Sequence, residues 1–460
     1  PAMRAAATAS LLFCASASGL RAIPALPLAR ARPQQRAGSS IRALDVLIDD
    51  KWFDLSRWRA AHPSGPHWID GFDGCDATEV MHAFHSDDAM AMLARLPQSR
   101  APPTTAAAEP TDLMLAFRRF RVQLLDEGWF ERVWWREAAT LAPCLLLYVA
   151  GTVLARRCSA LATVLLALGS TSAGWIAHDY VHGRGRFCAA MRGFGAFFNG
   201  HSASWWSAKH NLHHARTNHI GIDEDIMSDP MFYLWPPDPT NDARRRTLQH
   251  VYAPLAYSLL FLLWRFNSVR TLLSCGDATK QRREGGLIAL HYVWMALCLP
   301  PAVALGHALL AGLVSATIVT VSHQSEEMFD EPQHDWVAAQ LRSTRDARTA
   351  TPFTEWLWGG MQYQLEHHLF PTMPRYRYRA LAPRVAAWCA AHAHVGAEYR
   401  SDGEWQILMR NFHTLRDVAR SPAVAGASPT RKDTVWSRRQ GAAWVGSAAA
   451  LDLPPPQPVS

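Results

Sequence analysis

Three clusters of histidine stand out in the chain, because each repeats a spacing that places imidazoles on one helix face. They are His178 and His182; His210, His213 and His214; and His367 and His368, with Gln364 three residues before His367. Residues three and four positions apart are neighbours on a helix surface, so each cluster can present its ring nitrogens to one point. Imidazole nitrogens bind iron, copper and zinc. The spacing therefore predicts metal binding.

The number of histidines predicts more than one metal ion, since seven imidazoles exceed the four ligands of a structural zinc site. An eighth candidate is His323, at the end of an apolar run. An ionisable residue at the exit of a membrane helix is a functional candidate. A hydrated interfacial histidine is an equally good interpretation of His323. We expect packing or interfacial roles for His201, His219, His291 and His307.

Acidic residues near the clusters are candidates for orienting the imidazoles, which need hydrogen-bond acceptors on their second ring nitrogen. The candidates are Asp179, Asp223, Glu224, Asp225 and Glu366. Asp225 is the strongest of them. A solvated surface acid is the alternative for each.

Apolar runs predict a mostly helical membrane protein. Residues 138–155 and 158–177 are each close to the roughly 20 residues of a membrane-spanning helix. Residues 287–322 fit a second pair of helices, broken near Pro300-Pro301. Residues 251–264 are too short to span and precede a basic segment, so we expect them to lie on the membrane. Four spans in two hairpins would place every histidine cluster on the same side.

Composition excludes several other classes of protein. The 460 residues are 49% hydrophobic and 18% charged, with a net charge of +7. The apolar runs make a membrane surface a better partner for this positive charge than nucleic acid. Eight scattered cysteines form no CxxC pair, which is against a zinc ribbon or a disulfide framework.

The order of the segments predicts five parts. Residues 1–44 contain six arginines and no acidic residue, which is typical of a plastid-type targeting leader, with a basic tail as the alternative. We expect a small α+β domain over 45–100, a linker over 101–110, the membrane domain over 111–400 and a tail over 401–460. Residues 111–137, rich in aromatic and basic side chains, suit a membrane interface.

Motifs around the clusters resemble the three histidine boxes of membrane fatty acyl desaturases. The matching segments are HDYVH over 178–182, WWSAKHNLHHARTN over 205–218 and GGMQYQLEHHLFP over 359–371. A third box that begins with glutamine is similar to the front-end subfamily, which inserts a double bond towards the carboxyl end of the acyl chain. The resemblance implies a non-haem diiron centre held by the seven clustered histidines, with Gln364 near the metals. His323 matches the position of an isolated family ligand.

The segment 46–98 resembles cytochrome b5. His62 lies in an HPSG motif, and His85 follows the Asp76-Ala77-Thr78 segment. The resemblance implies that these two histidines bind haem b from opposite faces. Ser64 replaces a family glycine, and His67 and His82 are near, so a swapped ligand and a haem-free domain are alternatives.

Together the resemblances imply O2-dependent insertion of a cis double bond into a long polyunsaturated acyl chain of a membrane lipid. Electrons would reach the haem from NADH-cytochrome b5 reductase, or from ferredoxin in a plastid. The compartment is accordingly a plastid membrane or the endoplasmic reticulum. Because haem with two histidine ligands has no open site, its role would be electron transfer.

Other functions share parts of this pattern. A sphingolipid long-chain-base desaturase or a fatty acyl hydroxylase would carry nearly the same boxes. A metal transporter or a membrane electron carrier belongs to a different class. Transporter sites lie near the membrane midplane, whereas these clusters are expected outside the spans.

Overall fold

The computed structural model describes residues 44–62, 64–99, 109–226, 231–239, 244–275 and 277–424. The predicted leader lies outside the described residues except for Leu44. The predicted linker does so except for Glu109 and Pro110.

The amino-terminal part is a small α+β unit, as predicted. Its elements are β1 (Asp45–Ile48), β2 (Lys51–Asp54), a 3-10 helix (Arg59–Ala61), α1 (His67–Asp70), α2 (Thr78–Phe84) and α3 (Asp87–Leu93). The two strands pair antiparallel. Asp49 and Asp50 join them with φ of 49° and 61°. Two central residues with positive φ match the right-handed twist of a hairpin, and aspartate tolerates this conformation.

A helical hairpin follows. The elements of this region are α4 (Asp112–Asp126), α5 (Trp134–Leu154), α6 (Ser159–His182), α7 (Gly185–Met191), α8 (Phe194–Asn199) and α9 (Ala203–Ala215). The α5 and α6 helices are long and apolar enough to cross a membrane. They pack closely, because a Cβ atom added at Gly151 would lie 2.6 Å from Cγ of Leu166. The first predicted pair of apolar helices is therefore present.

The second apolar run also folds as two helices. This region contains a 3-10 helix (Arg244–Leu248), α10 (Gln249–Ser258), α11 (Leu260–Ser274), α12 (Ala278–Cys298) and α13 (Pro301–Val321). The break falls at Leu299 and Pro300, and Pro301 opens α13, where its missing N–H has no intrahelical partner in any case. α13 is the third helix long and apolar enough to span a membrane among the described residues. α12 carries charged side chains in its first turns and does not meet that criterion.

Residues 251–264 occupy most of α10 and the start of α11. Both helices pack on α13, and Gly312 of α13 lies against the backbone of Ser258. Apolar side chains are exposed on their outer surface, including Val251, Leu255 and Phe266. Such a surface agrees with helices that lie on a membrane.

The remaining elements cover the ends of the long helices. They are α14 (Trp336–Ser343), β3 (Asp346–Arg348), α15 (Pro352–Trp358), α16 (Gln364–Leu369), a 3-10 helix (Arg375–Arg377), α17 (Tyr378–Ala391), a 3-10 helix (Ala393–Val395), β4 (Ser401–Gly403) and α18 (Glu404–Arg420). β3 and β4 pair parallel. α18 packs against α10 and α13 through buried Ile407 and Leu415. The predicted tail over 401–460 therefore starts too early, because 401–420 bury an apolar face.

One hydrophobic core joins the amino-terminal unit to this cover. It contains Val46 and Phe53 of the hairpin as well as Phe117 of α4 and Phe370 after α16. Phe117 stacks on Phe370 with ring centroids 5.4 Å apart. Since buried aromatic rings contribute large apolar areas, this shared core fixes the amino-terminal unit beside α9 and α16.

Candidate metal and haem sites

The first histidine cluster lies at the carboxyl end of α6. His178 and His182 are one helical turn apart, with ring centroids at 4.9 Å, and both are buried. The α6 helix ends here because Gly183 follows with an extended ψ of 155°. The apolar helix thus places two imidazoles next to each other at its carboxyl end.

The second cluster lies on α9, whose first turn is capped by the Ser202 side chain, which accepts a hydrogen bond from the Trp205 N–H. The Nε2 atom of His210 lies 3.0 Å from Nε2 of His178 and 3.1 Å from Nε2 of His214. These contacts join ring nitrogens from separate segments of the chain. The α6 and α9 helices therefore point their imidazoles at the same place.

The third cluster lies on the short α16 helix, which is buried throughout. The His367 ring is 4.3 Å from the His178 ring, and the His368 ring stacks on His214 at 4.1 Å. All seven predicted imidazoles therefore converge, although the first and third clusters lie far apart in sequence.

The ring nitrogens form two adjacent groups of atoms within 4.8 Å of one another. The first group comprises His178, His182, His210, His214 and His367, and the second comprises His213, His323 and His368. A third overlapping group joins His213 to Asp223 and Asp225. These two neighbouring groups could therefore hold two metal ions.

His323 joins the site, which its sequence position alone left open. Its ring lies 4.7 Å from His213 and 4.6 Å from His368. Its Nδ1 lies 3.0 Å from the Ser343 carbonyl oxygen, and its Nε2 lies 2.9 Å from Nε2 of Gln364. The Oε1 atom of Gln364 is buried without a hydrogen-bond partner in the protein. Gln364 therefore offers an oxygen beside the second group.

Hydrogen bonds to Nδ1 orient several of these rings. Asp225 lies 3.0 Å from Nδ1 of His210, and Asp223 lies 2.7 Å from Nδ1 of His213. An Nδ1–H that donates to a carboxylate leaves Nε2 with the lone pair that a metal needs. Asp225 has the contact we expected of it.

Two of the predicted orienting acids have other partners. Asp179 forms an ion pair with Arg132 at 2.9 Å, and Glu366 accepts a hydrogen bond from Tyr399 at 3.2 Å. Sequence reasoning also missed Gln340, whose Oε1 accepts from Nδ1 of His368 at 2.8 Å. Gln340 lies on α14, which carries no motif, so only the tertiary packing identifies it.

Burial keeps most of these imidazoles neutral. Burial and the neighbouring imidazoles hold the pKa of His214, His367 and His368 well below the usual value. Burial also lowers the pKa of His210, to about 4, despite the Asp225 carboxylate. For His213, burial opposes the charged form, but the Asp223 carboxylate outweighs it and raises the pKa. Neutral imidazole is the form that binds a metal.

The residues present fit bound metal ions. The Nε2 atoms of His367 and His368 and both ring nitrogens of His182 are buried without a hydrogen-bond partner in the protein. Buried polar atoms are rarely left unpaired, and a bound ion is one explanation. A cluster of imidazole nitrogens is the donor set of iron, copper or zinc.

A second site lies in the amino-terminal unit. The ring centroids of His62 and His85 are 6.1 Å apart, with the ring planes tilted by 54°. Nδ1 of His62 lies 3.2 Å from the Gly65 carbonyl oxygen, and Nδ1 of His85 lies 3.1 Å from the Met81 carbonyl oxygen. Both histidines line a largely apolar cavity of about 350 Å³. Two carbonyl-oriented imidazoles in an apolar cavity fit a haem that His62 and His85 would hold.

A swapped haem ligand finds no support among the residues that line this cavity. His67 and His82 are not part of the lining, and Nε2 of His82 lies 2.8 Å from Asp49 instead. The positive φ of the HPSG turn, 102°, falls on Gly65 and not on Ser64. The serine therefore occupies a position that does not require glycine.

The remaining histidines singled out from the sequence lie outside both metal groups. Nδ1 of His291 lies 3.0 Å from the Phe197 carbonyl oxygen, and Nδ1 of His307 lies 2.9 Å from that of Val303. His201 packs edge-on against Phe261, and His219 lies against Phe329. These contacts agree with the packing roles that we expected.

Comparison with known families identifies two domains, one for each candidate site. Residues 158–400 match the fatty acid desaturase family, and residues 41–99 match the cytochrome b5-like heme/steroid binding domain. The first match contains all eight histidines of the two metal groups, and the second contains His62 and His85.

Curated relatives resemble most of the chain. An acyl-lipid (9-3)-desaturase of Physcomitrium patens is 29% identical over 414 residues, which cover 82% of this chain and 76% of the relative. A Delta(6)-fatty-acid desaturase, fat-3, of Caenorhabditis elegans is 28% identical over 436 residues, covering 82% and 96%. A Delta(8)-fatty-acid desaturase of Euglena gracilis is 29% identical over 367 residues, covering 72% and 86%.

Proposed function

Because this chain belongs to the fatty acid desaturase family and carries a cytochrome b5-like domain ahead of it, we propose that it is a front-end fatty acid desaturase. It inserts a cis double bond towards the carboxyl end of a long polyunsaturated acyl chain. The observation that carries the proposal is the convergence of eight imidazoles from distant segments into two adjacent groups. The relatives named Delta(6)- and Delta(8)-fatty-acid desaturases support the front-end class.

The two groups of imidazoles would hold a pair of iron ions. The five-histidine group would hold one ion, and His213, His323 and His368 would hold the other, with the Gln364 side chain beside it. Iron bound there supplies the oxidising power, drawn from O2 and two electrons, that removes two hydrogens from neighbouring carbons of the chain. Asp223, Asp225 and Gln340 hold the rings in the tautomer that binds metal.

The amino-terminal domain would hold haem b through His62 and His85. A haem held by these two histidines would have no open coordination site, so the chemistry that it would supply is one-electron transfer. The domain match supports haem, and the carbonyl-bonded Nδ1 atoms support these two ligands. A fused domain of this kind points to NADH-cytochrome b5 reductase, with ferredoxin as the alternative donor.

We propose four membrane spans in two hairpins, with α12 as the fourth beside α5, α6 and α13. The charged first turns of α12 would remain at the membrane surface, while its apolar half enters the bilayer. His178 and Trp206 line a small cavity of about 40 Å³ that extends to Trp264, and we propose it as part of the acyl path. The compartment stays a choice between a plastid membrane and the endoplasmic reticulum.

Expression in yeast fed a panel of polyunsaturated acids tests the proposed function. We expect one new double bond on the carboxyl side of an existing one, located by mass spectrometry. A hydroxylated fatty acid or a desaturated sphingoid base would identify the related enzymes instead. If no lipid changes while the protein is expressed and loaded with iron and haem, the proposed function is wrong.

A further inference from the structure

The haem cavity and the five-histidine group share a wall. Asn211 of α9 lines the cavity, whereas His210 and His214 of the same helix belong to the metal group. Phe84 also lines the cavity, and its ring meets the His214 ring edge-on, with centroids 6.2 Å apart and planes at 79°. A single aromatic ring thus lies between the cavity and a candidate metal ligand.

Phe84 is also the chain neighbour of His85. The His85 ring lines the haem cavity, so the last residue of α2 and the haem ligand that follows it contact the same space. The covalent path from a haem ligand to the Phe84 ring is therefore one residue long. From that ring the next contact is His214.

Arginine side chains hold α2 in this position. Arg184 donates one hydrogen bond to the Phe84 carbonyl oxygen and another to that of His182, so it joins the end of α2 to the end of α6. The Arg184 side chain is half-buried. Because it bonds a carbonyl group of each domain, it lies at the contact between the two domains.

Two further arginines also contact the amino-terminal domain. Arg118 of α4 bonds the carboxylates of Asp76 and Glu79, each at 2.7 Å. The guanidinium of Arg216 lies 4.7 Å from the centroid of the Phe72 ring and donates to the Gly71 carbonyl oxygen at 3.4 Å. Because both acids are almost fully buried with Arg118, the contact is a packed, charge-paired interface.

We propose that Phe84 is the contact through which electrons pass from the haem to the metal centre, and that Arg184 is the residue that positions it. This inference rests on the proposed function. In each transfer the ferrous haem iron is oxidised to ferric, and one ferric ion of the metal centre is reduced by that electron. A flavin-containing reductase reduces the haem again, and two transfers supply one desaturation.

The experiment measures the rate at which the reduced haem is oxidised by the metal centre, and it needs no lipid substrate. Full-length protein with haem and ferric iron is kept anaerobic, the haem is reduced by a flash with a photoreductant, and its absorbance is followed as it is oxidised again. Zinc-substituted protein gives the background. For Phe84→Leu we expect iron-dependent haem oxidation to slow by about tenfold or more, as when a positioned contact is lost. The haem spectrum and the iron content stay as in the unmodified protein.

Matched variants distinguish the loss of the aromatic ring from a general effect of the substitution. Phe84→Tyr keeps the aromatic contact and should keep the rate within about threefold. Phe353→Leu makes the same substitution at an exposed side chain of α15 and should leave the rate unchanged. Arg184→Gln should slow the transfer, and Arg184→Lys should restore part of it, with haem content unaltered in both.

An unchanged rate in a Phe84→Leu protein that retains haem and iron would overturn the inference. If that variant loses haem, Arg184→Gln decides, because Arg184 is not part of the cavity lining, and an unchanged rate there would overturn the inference as well. Absence of iron-dependent oxidation in the unmodified protein would also overturn the inference, because the haem would then not supply the metal centre, whereas the lipid assay in yeast tests the proposed function separately.

Discussion

The two candidate sites use histidine in opposite ways. The metal site gathers eight imidazoles from α6, α9, α16 and the segment after α13, and its rings touch one another. The haem site uses only two imidazoles, separated by an apolar cavity. The first arrangement suits metal ions that take most of their ligands from the protein, and the second suits a large flat cofactor that brings its own ring of ligands.

The two sites also differ in some of the acceptors on Nδ1. In the metal site, His213 and His210 have the carboxylates of Asp223 and Asp225, and the other two acceptors described above are neutral oxygens. In the haem site both acceptors are backbone carbonyls. A carboxylate makes the ring a stronger ligand and would offset part of the charge of a bound ion.

The largest expected effect is at the metal site. His213→Ala removes a member of the smaller group, which has only three imidazoles, and should abolish the product detected by mass spectrometry. The haem absorbance of the purified variant should persist, because the haem ligands belong to the other site. Product formation by this variant at the normal rate would exclude His213 from the metal centre.

The second largest effect is expected when a haem ligand is replaced, and a neighbouring histidine serves as the control. His62→Ala should lose the haem absorbance and the reductase-dependent activity while the non-haem iron content remains. The matched variant His82→Ala should keep the haem, since His82 bonds Asp49 and does not line the cavity. Full activity in His62→Ala would mean that the domain does not supply the electrons.

A smaller effect is expected from the orienting acids. Asp223→Asn keeps the size of the side chain but removes the charge next to His213, and should lower activity by about 10- to 100-fold through weaker metal binding. Iron analysis and turnover would be measured together. Asp417→Asn, on the exposed surface of α18, is the matched control and should be neutral. Equal activity in both variants would contradict an orienting role for Asp223.

The smallest effect concerns the HPSG turn. Because the positive φ falls on Gly65, Ser64→Gly relieves no strain, and it adds freedom to the unfolded chain that costs at most about 1 kcal/mol. Thermal unfolding followed by haem absorbance should show an unchanged or slightly lower midpoint. A clear rise in the midpoint would show that Ser64 strains the turn.

The features that the sequence predicted correctly depend on the spacing of residues close together in the chain. The three clusters follow from helical periodicity, and the helix break follows from Pro300-Pro301. Both features depend on neighbouring residues alone. The family resemblance added His62 and His85, whose roles no spacing within the segment indicates.

Tertiary contacts account for what the sequence did not reveal. Gln340 and the Ser343 carbonyl belong to a helix with no motif, and only packing brings them to His368 and His323. The contact between Phe84 and His214 likewise joins two domains. The packed α18 helix was missed although Ile407, Asn411 and Leu415 recur at helical spacing, which is a signal that the sequence contains.

Metal analysis of the purified full-length protein tests whether the two imidazole groups bind a pair of irons. We expect about two non-haem irons and one haem per chain, because two adjacent imidazole groups are present beside one cavity with two histidines. We also expect that His213→Ala lowers the non-haem iron and leaves the haem. Stoichiometric zinc in place of iron, or non-haem iron that is unaffected by His213→Ala, would contradict a diiron site.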